Sequence, residues 1–390
     1  MLNSSVKNRK PSTTPRQSNI ELLRIFSMII IIGHHFSVHG GIVFPTNVIN
    51  INRLWVQFIQ MGGKIGVDIF IMISGYFLIT SEKLKCCKVL RIWFQIFTYS
   101  VVTYLLLTAS GMVPFSLNEL MYSLLPITFS DWWFASGYFV LYLLFPYINT
   151  FLKALSIHSY QRFLVLLTII WCIIPSFLSI PWQCNTLLWF IYLYALAGYI
   201  RLYIRSTSIT AKKSFMIAGI LILLTFLSVV AVDVLATRNP SFATYTDYFY
   251  DMQRLPVLLI SLFLFLGFSH LNIKYIPAIN IISSATFGVY LIHDNYRTRT
   301  LLWNTLFKVD TYADSKGLIL YSILVIFTIF IVCSCIELLR MYLIERRYLP
   351  LLNTISKYIE KAINWFFHEN FLKQNREVAI KRSLPCSFVI

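Results

Sequence analysis

Charge is what this sequence has least of. Only 13% of its 390 residues are Asp, Glu, Lys or Arg, against about 25% in an average soluble domain. With 57% apolar and 16% aromatic residues and a mean hydropathy of +0.69, that shortfall excludes an ordinary soluble domain. A large soluble helical core would still need polar outward faces, and the long segments here are apolar nearly all round. Metal-ligand cysteine spacing is also missing: Cys86 and Cys87 are adjacent, and Cys333 and Cys335 flank a single serine. Neither pair fits a zinc site, so the cysteines read as small apolar filler and no metal is expected. The first apolar run ends in "GHHFSVHGG", which lacks the small-residue cleavage site of a secretory signal peptide. No internal repeat of about 20–50 residues occurs, which sets aside repeat architectures.

What is present are apolar runs of the length that crosses a hydrocarbon core, about 20 residues each. They are read at roughly 20–39, 65–80, 89–109, 132–151, 161–180, 186–203, 213–235, 254–270, 281–296 and 317–345, ten in all. The expected fold is all-α, a polytopic integral membrane protein. Its net charge of +17 raises nucleic acid as a partner, but the distribution argues against that. Of the 33 Lys and Arg residues, 24 fall in the tails and alternate gaps on one side and eight on the other, with Arg24 set aside. This is the positive-inside pattern, so both termini are expected in the cytoplasm, with the basic surplus facing anionic lipid. Residues 1–19 are basic and Ser/Thr/Pro-rich and read as a disordered tail; the membrane domain covers 20–347. Residues 348–390 read as a basic cytoplasmic tail whose aromatic stretch "KAINWFFHENFLK" suits a membrane surface.

Ionisable groups at membrane depth are costly and invite a functional reading. In "RIFSMIIIIGHHFSVHGG", Arg24 and His35 are eleven positions apart. At about 100° per residue that is three turns plus about 20°, so they share a helix face about 16 Å apart along the axis. Ser27 and His39 fall near the same stripe, whereas His34 stands further round. Two plain alternatives stay open: Arg24 snorkelling to the headgroups and His35 bonding another helix. In "GKIGVDIFIMISGYFLITS", Asp68 enters an apolar run, and Ser74, Gly75 and Tyr76 put a hydroxyl and a close-packing glycine mid-membrane. "SDWWFASGYFVLYLLFPYIN" carries Trp133 at the outer interface and Tyr138 and Tyr142 one turn apart, ahead of Pro146. "SSATFGVYLIHDNYRTRTLLW" brings His293 and Asp294 to the outer end of the ninth span, with Arg297 and Arg299 following. Each is also compatible with packing, an aromatic belt or a solvated span end.

Taken in this order, these segments resemble the membrane acyltransferase-3 family, polytopic bacterial enzymes that O-acetylate polysaccharides and related cell-surface glycans. Arg24 and His35 match its Arg–X10–His signature, and "GVDIFIMISGYFL" is similar to its second-helix segment. "WWFASGYFVLYLLFPYIN", "LLWFIYLYALAGYIRLY" and "SSATFGVYLIHDN" look like later stretches of the polysaccharide branch; the likeness spans roughly residues 20–345. Two departures stand out. Ser27 replaces a frequent alanine, and the family's Arg-X-X-Arg-Ile-X-Pro pattern survives only as Lys88, Arg91 and Ile92, with Phe94 in place of the proline. No extramembrane domain follows the last span beyond the tail, so any accompanying hydrolase-like activity is expected in a separate protein.

The resemblance implies an O-acetyltransferase of the bacterial cytoplasmic membrane, using acetyl-coenzyme A as donor and a glycan or lipid-linked sugar as acceptor. Acyl transfer to an alcohol needs a base, a site for an anionic donor and stabilisation of a developing oxyanion. On that implication His35 is the general base or a transient acyl carrier, and His293 an acceptor contact or second proton carrier. Arg24, Lys88 and Arg91 face the donor phosphates. Ser74, Tyr76, Asp68, Trp133, Tyr138, Tyr142 and Asp294 are the candidate substrate contacts. A glycolipid transporter or flippase would also need intramembrane charge and a cavity, and remains the alternative. An intramembrane serine protease built on Ser74 is disfavoured, because Met72 stands where the Gly-X-Ser-Gly motif needs its first glycine.

Overall fold

The computed structural model describes residues 17–178, 182–204 and 209–383, and side chains as far as Trp365. The expected disordered tail lies outside the described residues as far as residue 16, as do Arg205 and the last seven residues. The helices are α1 Ser18–His39, α2 Ile51–Gln60, α3 Gly62–Leu78, α4 Cys86–Ala109, α5 Leu117–Leu124, α6 Trp133–Ala154 and α7 Ile157–Thr168. They continue with α8 Ile174–Leu178, α9 Thr186–Tyr203, α10 Ala211–Arg238, α11 Leu255–Ser269, α12 Pro277–Ser284, α13 Thr286–His293, α14 Leu318–Arg340 and α15 Arg346–Ser383. Among the described residues no strand occurs, and nine helical stretches are long and apolar enough to cross a membrane.

The all-α polytopic reading stands, with local differences. The second crossing is longer than expected, Ile51–Leu78, because α2 and α3 run on through Met61. The ninth expected span, 281–296, is instead two short helices, α12 and α13, broken at Ala285. The first helix starts two residues early, with Ser18 and Asn19 buried: Ser18 Oγ accepts from the Ile276 amide at 2.8 Å, and Asn19 Nδ2 donates to the Phe268 carbonyl at 3.1 Å. What was read as a basic tail from residue 348 is helical to Ser383, reached from α14 through a wide π-helical turn at Met341–Glu345. Its stretch from Tyr348 to Glu360 lies on α4, where the Cys86 amide donates to Glu360 at 3.3 Å.

The bundle is centred on α1 and α3. The former packs against α2, α3, α11, α12, α13 and α14, and the latter against α9 and α11 as well. Lipid tails are as apolar as leucine, so helices in a membrane gain mostly from close approach. Gly75 makes that approach possible. A Cβ there would lie 2.6 Å from the carbonyl oxygen of Tyr194 and 2.8 Å from its Cα, so α3 and α9 touch backbone to backbone. On the other face of α3, a Cβ on Gly66 would sit 2.8 Å from the Ser27 carbonyl oxygen of α1. α10 is at the opposite extreme: 17% of its most apolar window is buried, so most of it turns outward.

Candidate active site

The C-terminal half of α1, the first turns of α3 and α6, and the end of α13 enclose a cavity of about 240 Å³. Each element reaches it for a local reason. α1 is oily from Ile25 to Ile32 apart from Ser27, and its last two turns carry His34, His35 and His39, the last two one turn apart. α3 starts with two glycines, which let it close on α1 at His34, and then presents Lys64. α6 opens on Trp133 and Phe134. α13 ends at His293 and Asp294, and Arg299 enters from the segment beyond.

The polar contacts form a directed chain. His293 is fully buried, and its Nδ1 lies 2.6 Å from the Val289 carbonyl oxygen, one turn back. A carbonyl only accepts, so that nitrogen carries the proton. His293 Nε2 lies 2.9 Å from His35 Nδ1. With both rings uncharged, His293 Nε2 is the acceptor and His35 Nδ1–H the donor, which leaves the lone pair of His35 on Nε2. That atom is 3.7 Å from Asp294 Oδ1, and His39 Nε2 is 3.8 Å from the same oxygen. Arg299 Nη2 closes on it at 2.8 Å. His34 is engaged elsewhere, its Nδ1 being 2.6 Å from the Gln60 carbonyl oxygen.

His35, His39 and Asp294 offer three possible metal ligands within 4.8 Å of one another. The Arg299 guanidinium, however, already sits on the shared carboxylate oxygen, and Lys64 adds a second cation to the cavity. A divalent ion would have to compete with both. Behind the cavity Arg297 pairs with Glu119 at 3.0 Å and with Asp131 at 3.5 Å, tying the 110–132 segment to the end of α13. Burial pushes the Asp131 carboxyl up from its ordinary value, opposed by the Ser100 hydroxyl and Arg297.

A second cavity, about 440 Å³, opens at the other end of the bundle between the end of α3, the start of α4 and the middle of α6. Lys83, Lys85 and Lys88 line it with Tyr142 and Phe145. A row of aromatic rings on one face of α6 runs from the first cavity towards the second. Phe134 borders the histidine cavity, Tyr138 packs on it at 6.1 Å between ring centroids, and Tyr142 follows at 6.5 Å. Ser74 Oγ lies 3.5 Å from Tyr138 Oη and bonds the Phe70 carbonyl at 3.0 Å, so both residues sit between the cavities.

The expected site residues therefore divide. His35, His293, Asp294 and Trp133 come together around the histidine cavity. Lys88 and Tyr142 line the lysine cavity. Arg24 lines neither; its Nε is 3.5 Å from Glu21. Asp68 is buried away from both, accepting from Trp189 Nε1 at 3.0 Å. Tyr76 accepts from Arg201 at 3.0 Å. Arg91 pairs with Glu345, within a buried network in which Arg340 bridges Glu337 at 2.7 Å and Glu345 at 2.6 Å.

Three features escaped the sequence reading. Lys64 counted there only as one outward charge. Arg299 was seen as following the ninth span and given no role. Glu337 stands in the apolar run of α14, where the cost of a charge in a membrane would have singled it out.

A family model described as an acyltransferase domain matches residues 17–338, while no curated protein and no solved structure matches. The matched stretch holds α1 to α14 nearly whole, with both cavities and every residue of the histidine chain inside it. The chain belongs to the acyltransferase-3 family and is a membrane acyltransferase.

Proposed function

We propose that the protein moves an acetyl group from cytoplasmic acetyl-coenzyme A to a hydroxyl of a cell-surface or lipid-linked glycan in the bacterial cytoplasmic membrane, with His35 as general base. The observation that carries this is the hydrogen-bond chain from Val289 through His293 to His35, which keeps the His35 lone pair on Nε2, beside Asp294. The acceptor O–H gives its proton to that nitrogen as the oxygen attacks the thioester carbonyl carbon. The C–S bond then breaks, and the imidazolium returns the proton to the departing thiolate. Asp294 favours the imidazolium at 3.7 Å, an interaction strongest when charge develops. The same lone pair would serve if acetyl rests briefly on His35.

The donor is a polyanion, and the lysine cavity lies on the side that the Lys and Arg excess assigns to the cytoplasm. Lys83, Lys85 and Lys88 supply its phosphate contacts. Tyr138 and Ser74 stand where the acyl arm would pass between the cavities. Arg24 and Arg91 take supporting parts, Arg24 in the inner half of α1 and Arg91 beside the donor entrance through Glu345.

The test is acetyl transfer by purified protein from labelled acetyl-coenzyme A, together with O-acetyl analysis of surface glycans. His35→Ala should lower transfer by about 10²–10⁴-fold, the usual contribution of a general base, with membrane insertion unchanged. Wild-type transfer in that variant removes His35 from the mechanism. A flippase would instead move its lipid substrate without consuming the donor.

A further inference from the structure

Lys64 is the one cation lining the histidine cavity that has no carboxylate of its own among the described residues. Arg299 has Asp294 at 2.8 Å. Among the described residues the ammonium of Lys64 has no carboxylate within 4.0 Å and no hydrogen-bond acceptor; its close neighbour is the Trp133 ring, whose centroid lies 4.7 Å from Nζ. The carboxylates whose fields reach it are Asp251, Asp68 and Asp294. Each is engaged elsewhere: Asp68 with Trp189, Asp294 with Arg299, and Asp251 with Arg254 at 4.0 Å. With neutral histidines the lining therefore carries one uncompensated positive charge. A partly buried cation of this kind is costly until an anion joins it.

Part of the remaining wall is aromatic. Trp133, Phe134, Phe287 and Tyr290 present flat apolar faces to the same space, and such faces suit the C–H side of a sugar ring. The volume, about 240 Å³, falls just below the ~300–1,000 Å³ of sites that enclose a drug-sized ligand. It suits one residue of the acceptor with its substituent.

We propose that the acceptor carries an anionic group, a carboxylate or a phosphate, on or next to the acetylated sugar, and that Lys64 binds it, backed by Trp133. This rests on the acyltransferase reading above and adds to it the class of acceptor. The ion pair would hold the sugar hydroxyl over His35 Nε2 rather than take part in the chemistry.

The experiment uses the full chain in cells whose own copy is deleted, complemented with wild type, His35→Ala, Lys64→Gln or Lys64→Arg. NMR of the surface glycan and of its lipid-linked fraction locates each O-acetyl group and identifies the nearest anion as carboxylate or phosphate. The expected result is an acetyl on a residue that bears or adjoins such an anion. Loss of that acetyl by about tenfold or more should follow in Lys64→Gln, the scale of one hydrogen bond to a charged group, with most of it kept in Lys64→Arg. Acetylation of a sugar with no anion on it or its neighbours would overturn the proposal. So would wild-type acetylation in Lys64→Gln, which would leave Lys64 a lipid-headgroup anchor. Failure of the parent reading looks different: acetylation would then be unchanged by deletion or by His35→Ala.

Discussion

Replacing His293 tests the directed chain on which the base depends. In His293→Phe the buried Nδ1–H of His35 loses the acceptor it now has at 2.9 Å. Leaving a buried donor unpaired costs about 1–3 kcal/mol, and nothing then favours the tautomer with its lone pair on Nε2. If that cost falls on the reactive arrangement, kcat drops by roughly 5–150-fold at 1.36 kcal/mol per decade, a range that meets only the low end of the loss expected for His35→Ala. His293→Gln is the control, because its side-chain oxygen can accept from Nδ1–H and should restore much of kcat. The assay is transfer of labelled acetyl at saturating donor, with kcat and acceptor KM separated. A kcat within twofold of wild type in His293→Phe would refute the tautomer argument. Equal losses in the Phe and Gln variants would show that His293 matters for packing alone.

Two further outcomes concern the other end of the bundle. Lys85→Gln combined with Lys88→Gln should raise KM for acetyl-coenzyme A several-fold and flatten its dependence on salt, since exposed charge pairs are screened over about 10 Å at 0.1 M; an unchanged KM would remove the lysine cavity from donor binding. Glu337→Ala strips Arg340 of a partner that it now meets at 2.7 Å and leaves Tyr99 and Gln95 without their acceptor. Breaking a buried pair in this way costs about 3–5 kcal/mol, so the purified protein should melt at clearly lower temperature, and an unshifted melting curve would contradict the network.

Much of the site was legible because helices repeat. Eleven positions between Arg24 and His35 place them on one face, yet the shared face did not make a shared cavity: Arg24 faces Glu21 and lines neither space. His35 and His293 were each singled out in the sequence, but their contact, 258 positions apart in the chain, was not. Lys64 stayed hidden because its setting, beside Trp133 with no carboxylate within 4.0 Å among the described residues, is a property of the packed neighbourhood.

The sequence by itself determined that the chain crosses a membrane many times and that α1 carries imidazoles at one end. A hydrocarbon solvent dictates those features residue by residue, through run length and the cost of charge. The tertiary structure alone decided the break at Ala285, the His35–His293 bond and the meeting of Lys64 with Trp133. Such contacts depend on which helix faces approach closely enough to touch. Small residues such as Gly75 and Gly66 set that approach between segments far apart in the chain, where local periodicity carries no information.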